Sequence, residues 1–385
     1  MPTSGASNRA DFVIIGGGIA GASIAYWLSQ HGRVIVLERE QQPGYHSTGR
    51  SAALFAESYG NRQVRALTMA SRAFFAAPPE GFADHPLLSP RGALIVAAPG
   101  KDQLLRDHWQ DLASTGKDLQ RLSAQQACAM VPVLRPEKVL GAILDRAASD
   151  IDVQALHQGY LRALRRHGGV LVCAAEVTAL QRCADYWSLD AGGQQYVAPV
   201  VVNAAGAWAD QIATLAGVAR IGLQPRRRSV FIFAPPADLD SRRWPLTIGV
   251  AEDWYFKPDA GMLLGSPANA DPVEPQDVQA EELDIATGIF NIAQMTTLAI
   301  RRPTHTWAGL RSFVADGGLV GGFDSLAPGF FWLAAQGGYG IQTAPAMAES
   351  CAALVRGAAI PPHLAAFGIS AELLGPGRLR SAAAA

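Results

Sequence analysis

The feature that most constrains the fold of this chain is a glycine-rich turn near its N-terminus. An apolar, largely β-branched run at residues 12–15 is followed by three glycines with G-x-G-x-x-G spacing: Gly16, Gly18 and Gly21. A second apolar run, residues 34–37, ends at Glu38. A strand, a glycine turn, a helix and a second strand in this order are typical of a dinucleotide-binding βαβ unit.

The glycines and the acid each have a physical role in such a unit. Gly16 permits the tight turn, Gly18 lets the backbone approach a pyrophosphate, and Gly21 lets the helix pack closely on the strand. Glu38 follows Gly16 by 22 positions, which is close to the distance of about 20 residues at which an acid reaches an adenosine ribose. We therefore predict that the chain binds a dinucleotide, with the pyrophosphate at the start of the helix.

The composition excludes several classes of protein. A chain of 385 residues, of which 49% are hydrophobic, is long enough for two domains or for one large domain with an insertion. The formal net charge of −1 gives no reason to expect nucleic acid as a partner. The cysteines are scattered without metal-ligand spacing, so we expect no metal site and reduced thiols. They are Cys128, Cys173, Cys183 and Cys351.

Two segments near the N-terminus resemble targeting or membrane signals only superficially. Residues 1–10 lack the basic start and apolar core of a secretion signal. Residues 12–30 carry no charge, but four glycines in the first ten positions and a strand-like opening fit the nucleotide turn better than a membrane span. We therefore expect a cytoplasmic protein without a transmembrane segment.

The order of the predicted elements indicates an α/β fold with an α+β substrate part. Strand and helix patterns alternate at the start of the chain and again from about residue 150, whereas residues 224–302 read as several strands and one long helix. This pattern predicts a discontinuous Rossmann-like domain with an inserted antiparallel-sheet domain. We assign residues 10–80, 145–222 and 308–374 to the nucleotide-binding domain, 81–144 and 223–307 to the substrate domain, and 1–9 and 375–385 to loose termini.

Further motifs follow along the chain at residues 44–53, 202–208, 257–266, 308–317 and 336–343. Together with the glycine turn they resemble the D-amino-acid oxidase (DAO) superfamily of FAD enzymes over about residues 11–374. Within that superfamily the chain is most similar to bacterial D-arginine dehydrogenase. The resemblance implies bound FAD and oxidation of an amine at the carbon next to a carboxylate. Since these segments contain no cysteine, we expect the FAD to be held noncovalently.

An arginine is the natural partner for the carboxylate of such a substrate, because its planar guanidinium can make two parallel hydrogen bonds. The resemblance gives this role to Arg311. The strand period of two places Arg226 and Arg228 on one face of a predicted strand and Arg227 on the other. By itself the period also fits an exposed basic strand end, whereas the resemblance implies that Arg228 is a second substrate contact.

The resemblance implies three further contacts with the substrate. Tyr255 matches a tyrosine whose hydroxyl binds the carboxylate, although an aromatic-rich strand is also compatible with a place in the core. Gly338 is expected to accept the substrate amine through its carbonyl oxygen. Tyr59 matches a tyrosine of the arginine-specific relatives.

The glycine turn and the resemblance together imply FAD contacts from many parts of the chain. Short hydroxyls in the loop after Glu38 suit phosphates or the flavin, and the positive end of the last long helix would stabilise negative charge on the reduced ring. The predicted cofactor contacts are Gly16, Gly18, Ile19, Ala20, Gly21, Glu38, Arg39, Ser47, Thr48, Ser51, Ala52, Val177, Ala205, Gly206, Gly337, Gly340, Ile341, Gln342 and Thr343.

The chain departs from the arginine-specific relatives at two positions of the predicted substrate pocket. Ala93 stands where those relatives carry an acid, and Leu54 stands where they carry a histidine. Because a buried guanidinium without a carboxylate partner is costly, we expect a neutral or aromatic side chain rather than arginine to be preferred. Glu57 is a possible replacement for the lost acid, and a solvated loop carboxylate is the alternative.

The main hypothesis is therefore an FAD enzyme that oxidises a D-amino acid by hydride transfer to flavin, giving the imino acid, which water hydrolyses to the 2-oxo acid and ammonia. An alternative within the same class is oxidation of glycine-like or secondary amines. An alternative of another class is a flavin-binding scaffold without turnover. The sequence leaves open whether oxygen or a quinone-type acceptor reoxidises the flavin.

Overall fold

A computed structural model of the protein describes residues 8–113 and 119–381. Its strands are β1 (Phe12–Ile15), β2 (Val34–Leu37), β3 (Leu54–Phe55), β4 (Leu88–Pro90), β5 (Ala93–Ala97), β6 (Leu119–Ser123), β7 (Gly141–Asp145), β8 (Ser149–Ile151), β9 (Val170–Val172), β10 (Val177–Cys183), β11 (Tyr186–Ala191), β12 (Gln194–Ala198), β13 (Val200–Asn203), β14 (Gln224–Phe233), β15 (Leu246–Gly249), β16 (Tyr255–Asp259), β17 (Met262–Ser266), β18 (Asp271–Pro272), β19 (His305–Phe313), β20 (Val320–Phe323) and β21 (Phe330–Ala334).

The helices are α1 (Ile19–Leu28), α2 (Arg62–Ala76), α3 (Asp102–Ala113), α4 (Ala124–Met130), α5 (Val153–Arg166), α6 (Ala209–Leu215), α7 (Glu282–Met295), α8 (Gly340–Val355), α9 (Pro362–Ala365), α10 (Ala371–Leu374) and α11 (Gly377–Ser381). Short 3₁₀ turns lie at Pro136–Lys138 and Gly206–Trp208. Among the described residues, no helix has the length and apolarity needed to cross a membrane.

The first layer of the fold is a six-stranded sheet with the order β20-β21-β13-β1-β2-β9. It is parallel from β21 to β9, and β20 pairs antiparallel with β21. Strand alternation sends Ile14 into a core shared with α1, α5 and α8, whereas Val13 and Ile15 face a core shared with the β10-β11-β12 sheet. The predicted Rossmann-like α/β arrangement is therefore confirmed.

The glycines of the N-terminal turn are required by close packing. Gly16 has a φ of +106°, and a Cβ at this position would lie 2.4 Å from the carbonyl oxygen of Ala204. A Cβ on Gly21 would lie 1.8 Å from the carbonyl oxygen of Gly16. A side chain at Gly16 would therefore collide with the segment that follows β13, and one at Gly21 would push helix α1 away from β1 and the turn.

The second layer is a nine-stranded sheet with the order β18-β14-β17-β16-β15-β5-β7-β6, in which β19 pairs with the other edge of β14. Helix α7 packs on it through Ile292 and Met295. The sheet was predicted to be antiparallel, but β5 and β15 pair in parallel. These two strands come from separate segments of the chain, so no hairpin turn forces them to run in opposite directions.

Strand β19 continues across the boundary that the sequence suggested between residues 307 and 308. It pairs with β14 from His305 to Phe313, so that Arg311 lies on the nine-stranded sheet rather than on the Rossmann-like one. A separate three-stranded sheet, β3-β8-β4, brings residues 54–55, 88–90 and 149–151 together.

Parts of the predicted loose termini are held by defined contacts, so that prediction was wrong for them. Residues 377–381 form helix α11, and Arg378 donates hydrogen bonds to Asp316 and to the carbonyl oxygen of Leu319. At the other end, the carbonyl oxygen of Asn8 accepts a hydrogen bond of 3.0 Å from the N–H of Val197. Residues 1–7 and 382–385 lie outside the described residues.

Candidate active site

Three adjoining cavities follow one another from the glycine turn to the nine-stranded sheet. Their volumes are about 1170, 610 and 960 Å³, and we call them the nucleotide, central and substrate cavities. Thr48 and Gly337 line both the nucleotide and the central cavity. Arg311 and Tyr255 line both the central and the substrate cavity. The cavities therefore form a continuous cleft.

The nucleotide cavity is built around the glycine turn. Glu38 is buried there, and its two carboxylate oxygens accept hydrogen bonds from the N–H groups of Gly17 at 2.7 Å and Glu40 at 2.9 Å. These bonds fix the carboxylate at the end of β2, where a ribose hydroxyl can reach it. The predicted cofactor residues that line this cavity are Gly16, Gly18, Ile19, Ala20, Glu38, Arg39, Ser47, Thr48, Val177, Ala205, Gly206 and Gly337.

The loop after β2 makes hydrogen bonds both to helix α1 of the Rossmann-like part and to strand β19 of the nine-stranded sheet, beside this cavity. Thr48 Oγ1 accepts a hydrogen bond of 3.0 Å from the N–H of Ile19, so a residue 29 positions away caps the start of helix α1. Ser47 Oγ donates a 2.7 Å hydrogen bond to the carbonyl oxygen of Leu310 in β19. Both predicted hydroxyls thus have backbone partners while still lining the cleft.

Sequence reasoning did not identify Trp208 as a residue of the nucleotide cavity. The Arg39 guanidinium lies over the indole ring, with Cζ 4.9 Å from the ring centroid. The His46 ring lies 4.6 Å from the same indole, centroid to centroid. Its place in the sequence could have indicated this role, because it ends the motif at residues 202–208 and follows the predicted contact Gly206 by two positions. A stacked aromatic–cation wall suits the planar adenine end of a dinucleotide.

The central cavity brings together Ser51, Ala52, Gly337, Gly338, Gly340 and Ile341, together with Arg228, Tyr255 and Arg311. Helix α8 begins at this cavity, with Gly340 as its first residue. A wall of small residues at the positive end of a helix fits a planar ring that becomes negatively charged. The two cavities therefore fit the two halves of FAD.

Three predicted cofactor contacts do not line the cleft. Gly21 is covered by the Gly16 carbonyl and serves packing alone. Gln342 is buried and accepts a hydrogen bond of 3.1 Å from the N–H of Ala56. Thr343 donates its hydroxyl hydrogen to the carbonyl oxygen of Tyr339 at 2.9 Å, within helix α8. The periodicity of helix α8 explains the positions of Gln342 and Thr343, because it directs residues 340 and 341 to the cavity and the next two residues into the core.

The arginines of β14 separate as the strand period predicts. Arg227 forms an ion pair with Asp284 of helix α7 at 2.8 Å, whereas Arg228 lines the central and substrate cavities. Arg228 is paired in register with Gly309 of β19, and Arg311 lies two residues further along that strand. Two guanidiniums from neighbouring strands therefore line the same part of the cleft.

Neither of these two arginines has an ion-pair partner among residues 8–113 and 119–381. Arg228 Nε donates a 2.6 Å hydrogen bond to the carbonyl oxygen of Asn269, and Arg311 donates to the hydroxyl of Tyr59. Burial and the nearby positive charge of Arg311 lower the pKa of Arg228. Burial opposes the charge of Arg311 as well, but the phenols of Tyr59 and Tyr255 more than offset it and raise its pKa. Two like charges without a counter-ion form a site for an anion.

The backbone of Gly338 completes this site. A Cβ added to Gly338 would lie 2.8 Å from Nη1 of Arg311, so the guanidinium fork rests directly against the glycine. The ring of Tyr339 meets that of Tyr59 edge to face, with 5.3 Å between centroids. Burial raises the pKa of Tyr339 to about 12, so its phenol is neutral beside the arginine.

Beyond the arginines, one wall of the substrate cavity is apolar. Leu54 and Ala93 line it as predicted, together with Ala56, Ile95, Leu246 and Ile248. Glu57 does not line it: the side chain is 4% exposed and forms an ion pair with Arg72 of helix α2. Glu57 is therefore neither a solvated loop carboxylate nor a replacement for the missing acid, because its side chain is buried against Arg72 outside the cavity lining.

Two polar residues of the substrate cavity, His108 and Glu252, were missed by the sequence analysis. His108 comes from helix α3 and Glu252 from the loop between β15 and β16. Burial lowers the pKa of His108, although the carboxylates of Glu252 and Asp111 act in the opposite direction. No motif marks either residue, since the fold brings them to the cavity from separate strands and helices.

Comparisons with known proteins agree with this architecture. The family model described as DAO, FAD dependent oxidoreductase, matches residues 11–354. The FAD-dependent oxidoreductase domain-containing protein 1 of Bos taurus is 27% identical over 90% of this chain and 81% of its own length.

Two solved structures show the same fold. The crystal structure of glycine oxidase from Geobacillus kaustophilus has a TM-score of 0.80 at 22% identity, over 91% of this chain and 95% of that one. The crystal structure of iminodiacetate oxidase from Chelativorans sp. BNC1 has a TM-score of 0.79 at 20% identity, over 95% of this chain and 98% of that one.

Proposed function

Because the chain belongs to the DAO family of FAD-dependent oxidoreductases, we propose that it oxidises a D-amino acid with a neutral or hydrophobic side chain. The products are the imino acid and, after hydrolysis by water, the 2-oxo acid and ammonia. FAD is the cofactor, and when bound it accepts the hydride that leaves the α-carbon. The other parts of the reaction depend on how the protein holds the substrate.

The observation that carries the proposal is the pair of arginines without a counter-ion. Arg228 and Arg311 line the same part of the cleft, where the central cavity meets the substrate cavity. A substrate carboxylate would supply the missing negative charge and accept two hydrogen bonds from the planar fork of Arg311. It would also fix the position of the α-carbon relative to the central cavity.

Two neighbours support this orientation. Tyr255 is 5% exposed and lines both cavities, so its hydroxyl is available to the same carboxylate. Gly338 lies against Arg311, and its carbonyl oxygen is proposed to accept a hydrogen bond from the substrate amine. The substrate amine has to be neutral when the hydride leaves. The proton that the ammonium form loses can pass to water without a dedicated base.

The side-chain preference follows from the walls of the substrate cavity. Residues such as Leu54, Ala93 and Leu246 offer no charge to a guanidinium, and desolvating one without a partner costs several kcal/mol. In this proposal the substrate contacts are those that the resemblance to D-arginine dehydrogenase implies, whereas the preferred substrate side chain is different. These contacts are Arg311, Arg228, Tyr255, Gly338 and Tyr59. The D configuration also rests on that similarity.

Oxidation of glycine-like or secondary amines is the second candidate, favoured by the similarity to glycine oxidase and iminodiacetate oxidase. Arg311 would hold the acid group of these substrates in the same way. The apolar residues Leu54, Ala93, Ile95 and Leu246 of the substrate cavity would have no side chain to contact in such small substrates. This lining favours an amino acid with an apolar side chain.

The test is an anaerobic substrate panel on the flavin-loaded protein, followed by turnover with oxygen alone and with an artificial acceptor. The panel includes D- and L-forms of phenylalanine, leucine, methionine, lysine and arginine, and also glycine and sarcosine. We expect D-phenylalanine, D-leucine and D-methionine to bleach the flavin fastest. Faster bleaching by D-arginine, or by glycine and sarcosine, contradicts the proposed substrate class. No bleaching by any of them favours the flavin-binding scaffold.

A further inference from the structure

The substrate cavity contains one carboxylate among its described lining residues, that of Glu252. Within the same part of the chain, this carboxylate has neither a hydrogen bond nor an ion pair. Burial lowers the pKa of both Arg228 and His108, and the charge of Glu252 acts in the opposite direction on each, so it lies within electrostatic range of both. The cavity therefore has two positive groups on one side, apolar walls, and one free negative group.

The backbone at Glu252 is unusual. Its φ is +52°, in the left-handed region that favours glycine and asparagine. The other described non-glycine residues with positive φ are all alanines: Ala174, Ala184, Ala260, Ala268 and Ala335. A long charged side chain in such a conformation is more informative than an alanine, because backbone strain is often retained at functional sites.

The loop holds Glu252 close to the substrate contacts. It connects Ile248 with Tyr255, which are partners in the β15–β16 pair and both line the cavity. The N–H of Glu252 donates a 2.8 Å hydrogen bond to the carbonyl oxygen of Gly249. Trp254, which is buried, anchors the other end of the loop. The carboxylate is thus presented by a short, fixed turn.

The neighbouring polar groups leave the charge of Glu252 uncompensated. Burial lowers the pKa of His108, so this imidazole is neutral near pH 7. Asp111, the other acid near His108, forms an ion pair with Arg65. Glu252 therefore offers two acceptor oxygens to whatever enters the cavity.

We infer that Glu252 forms an outer subsite that accepts a hydrogen bond from the terminal donor of a long substrate side chain. This inference rests on the proposed function and refines its substrate class. The carboxylate binds at Arg228 and Arg311, the apolar body of the side chain packs on Ala93, Ile95 and Leu246, and a terminal O–H or N–H reaches Glu252. Between two side chains of matched size, the one with a donor at its tip gains this contact.

The exposed position of Glu252 limits how much it contributes. Contacts between exposed charges are weak because water competes for both groups. A basic side chain therefore gains at Glu252 only part of what it loses by desolvation, and D-arginine remains a poor substrate. We therefore expect the subsite to change the relative rates of two side chains that differ only at the tip, and not to decide between basic and apolar substrates.

Two pairs of substrates isolate the tip of the side chain. D-tyrosine differs from D-phenylalanine by one hydroxyl, and D-lysine differs from D-norleucine by an ammonium in place of a methyl group. The quantity measured is the ratio of kcat/KM within each pair for the flavin-loaded protein. The variants are Glu252→Gln and Glu252→Ala, with Asp253→Asn as the matched control. Asp253 is in the same loop but does not line the substrate cavity.

For Glu252→Gln we expect the lysine ratio to fall about two- to fivefold, while the tyrosine ratio stays unchanged because an amide oxygen still accepts a hydrogen bond. For Glu252→Ala we expect both ratios to fall, and for Asp253→Asn neither. If Glu252→Ala leaves both ratios unchanged while D-phenylalanine is still oxidised, the subsite is wrong and the proposed function stands. If the wild-type protein oxidises none of the four, both are wrong.

Discussion

Gly338 lies directly against Arg311, and a Cβ at this glycine would come within 2.8 Å of Nη1 and 3.0 Å of Cζ. The backbone of Gly338 does not adopt a positive φ, so an alanine is compatible with its conformation. A side chain at this position would therefore have to displace the guanidinium.

Gly338→Ala should accordingly displace the Arg311 fork without unfolding the protein. Overpacking of this kind costs about 1–3 kcal/mol, so we expect kcat/KM for D-phenylalanine to fall by a factor between about 5 and about 160. Gly377→Ala, at a glycine with open space around it, serves as the control. Steady-state kinetics together with the flavin spectrum check this prediction, and an unchanged kcat/KM with normal FAD content would contradict it.

Ala93→Glu should move the substrate preference toward basic side chains. The new carboxylate would lie in the apolar wall, next to Ala56 and Ala148, and this wall offers a guanidinium no carboxylate in the wild-type protein. We expect the kcat/KM ratio of D-arginine to D-leucine to rise at least tenfold. A variant that folds, binds FAD and keeps the wild-type ratio would show that residue 93 does not contact the side chain.

Glu57→Gln should affect stability and leave specificity unchanged. Glu57 is buried and paired with Arg72, which is itself partly exposed, so loss of the charge should cost about 1–3 kcal/mol in the free energy of unfolding. Urea denaturation and the substrate panel measure the two effects separately. A change in the D-arginine to D-leucine ratio would mean that Glu57 reaches the substrate after all.

FAD should be released when the protein is denatured. No cysteine lines the nucleotide or the central cavity among the described residues, and His46 is already engaged with Glu40 and Trp208. Acid precipitation should therefore leave the yellow colour in the supernatant. A yellow pellet would indicate a covalent bond and contradict the noncovalent assignment.

Local sequence patterns were sufficient to predict the glycine turn of the nucleotide cavity and the alternation of the arginines in β14. The spacing of Gly16, Gly18 and Gly21 predicts close backbone packing. In the structure, a Cβ at Gly16 or at Gly21 would lie within 2.4 Å of a carbonyl oxygen. The period of two in β14 separates Arg227 from Arg228, because side chains alternate on any strand. Such features depend on neighbours within a few positions of the chain.

The features that were missed depend on contacts between distant segments. Thr48 caps helix α1 across 29 positions, and Glu57 pairs with Arg72 of helix α2 across 15 positions. Glu252 and His108 meet at the cavity although 144 positions separate them. No local pattern reports such pairings, since they are set by sheet register and helix packing.

The central claim is that the arginine fork at position 311 holds the substrate carboxylate, and Arg311→Gln tests it most directly. Arg226→Gln is the matched control, because Arg226 pairs with Arg311 across the two strands but does not line the cleft. The measurement is the rate of anaerobic flavin reduction by D-phenylalanine as a function of its concentration. Loss of one partner of a desolvated charge contact costs about 2–5 kcal/mol, so the second-order rate constant should fall at least about 30-fold in Arg311→Gln and stay unchanged in Arg226→Gln. An Arg311→Gln protein that binds FAD and is reduced at the wild-type rate would contradict the account.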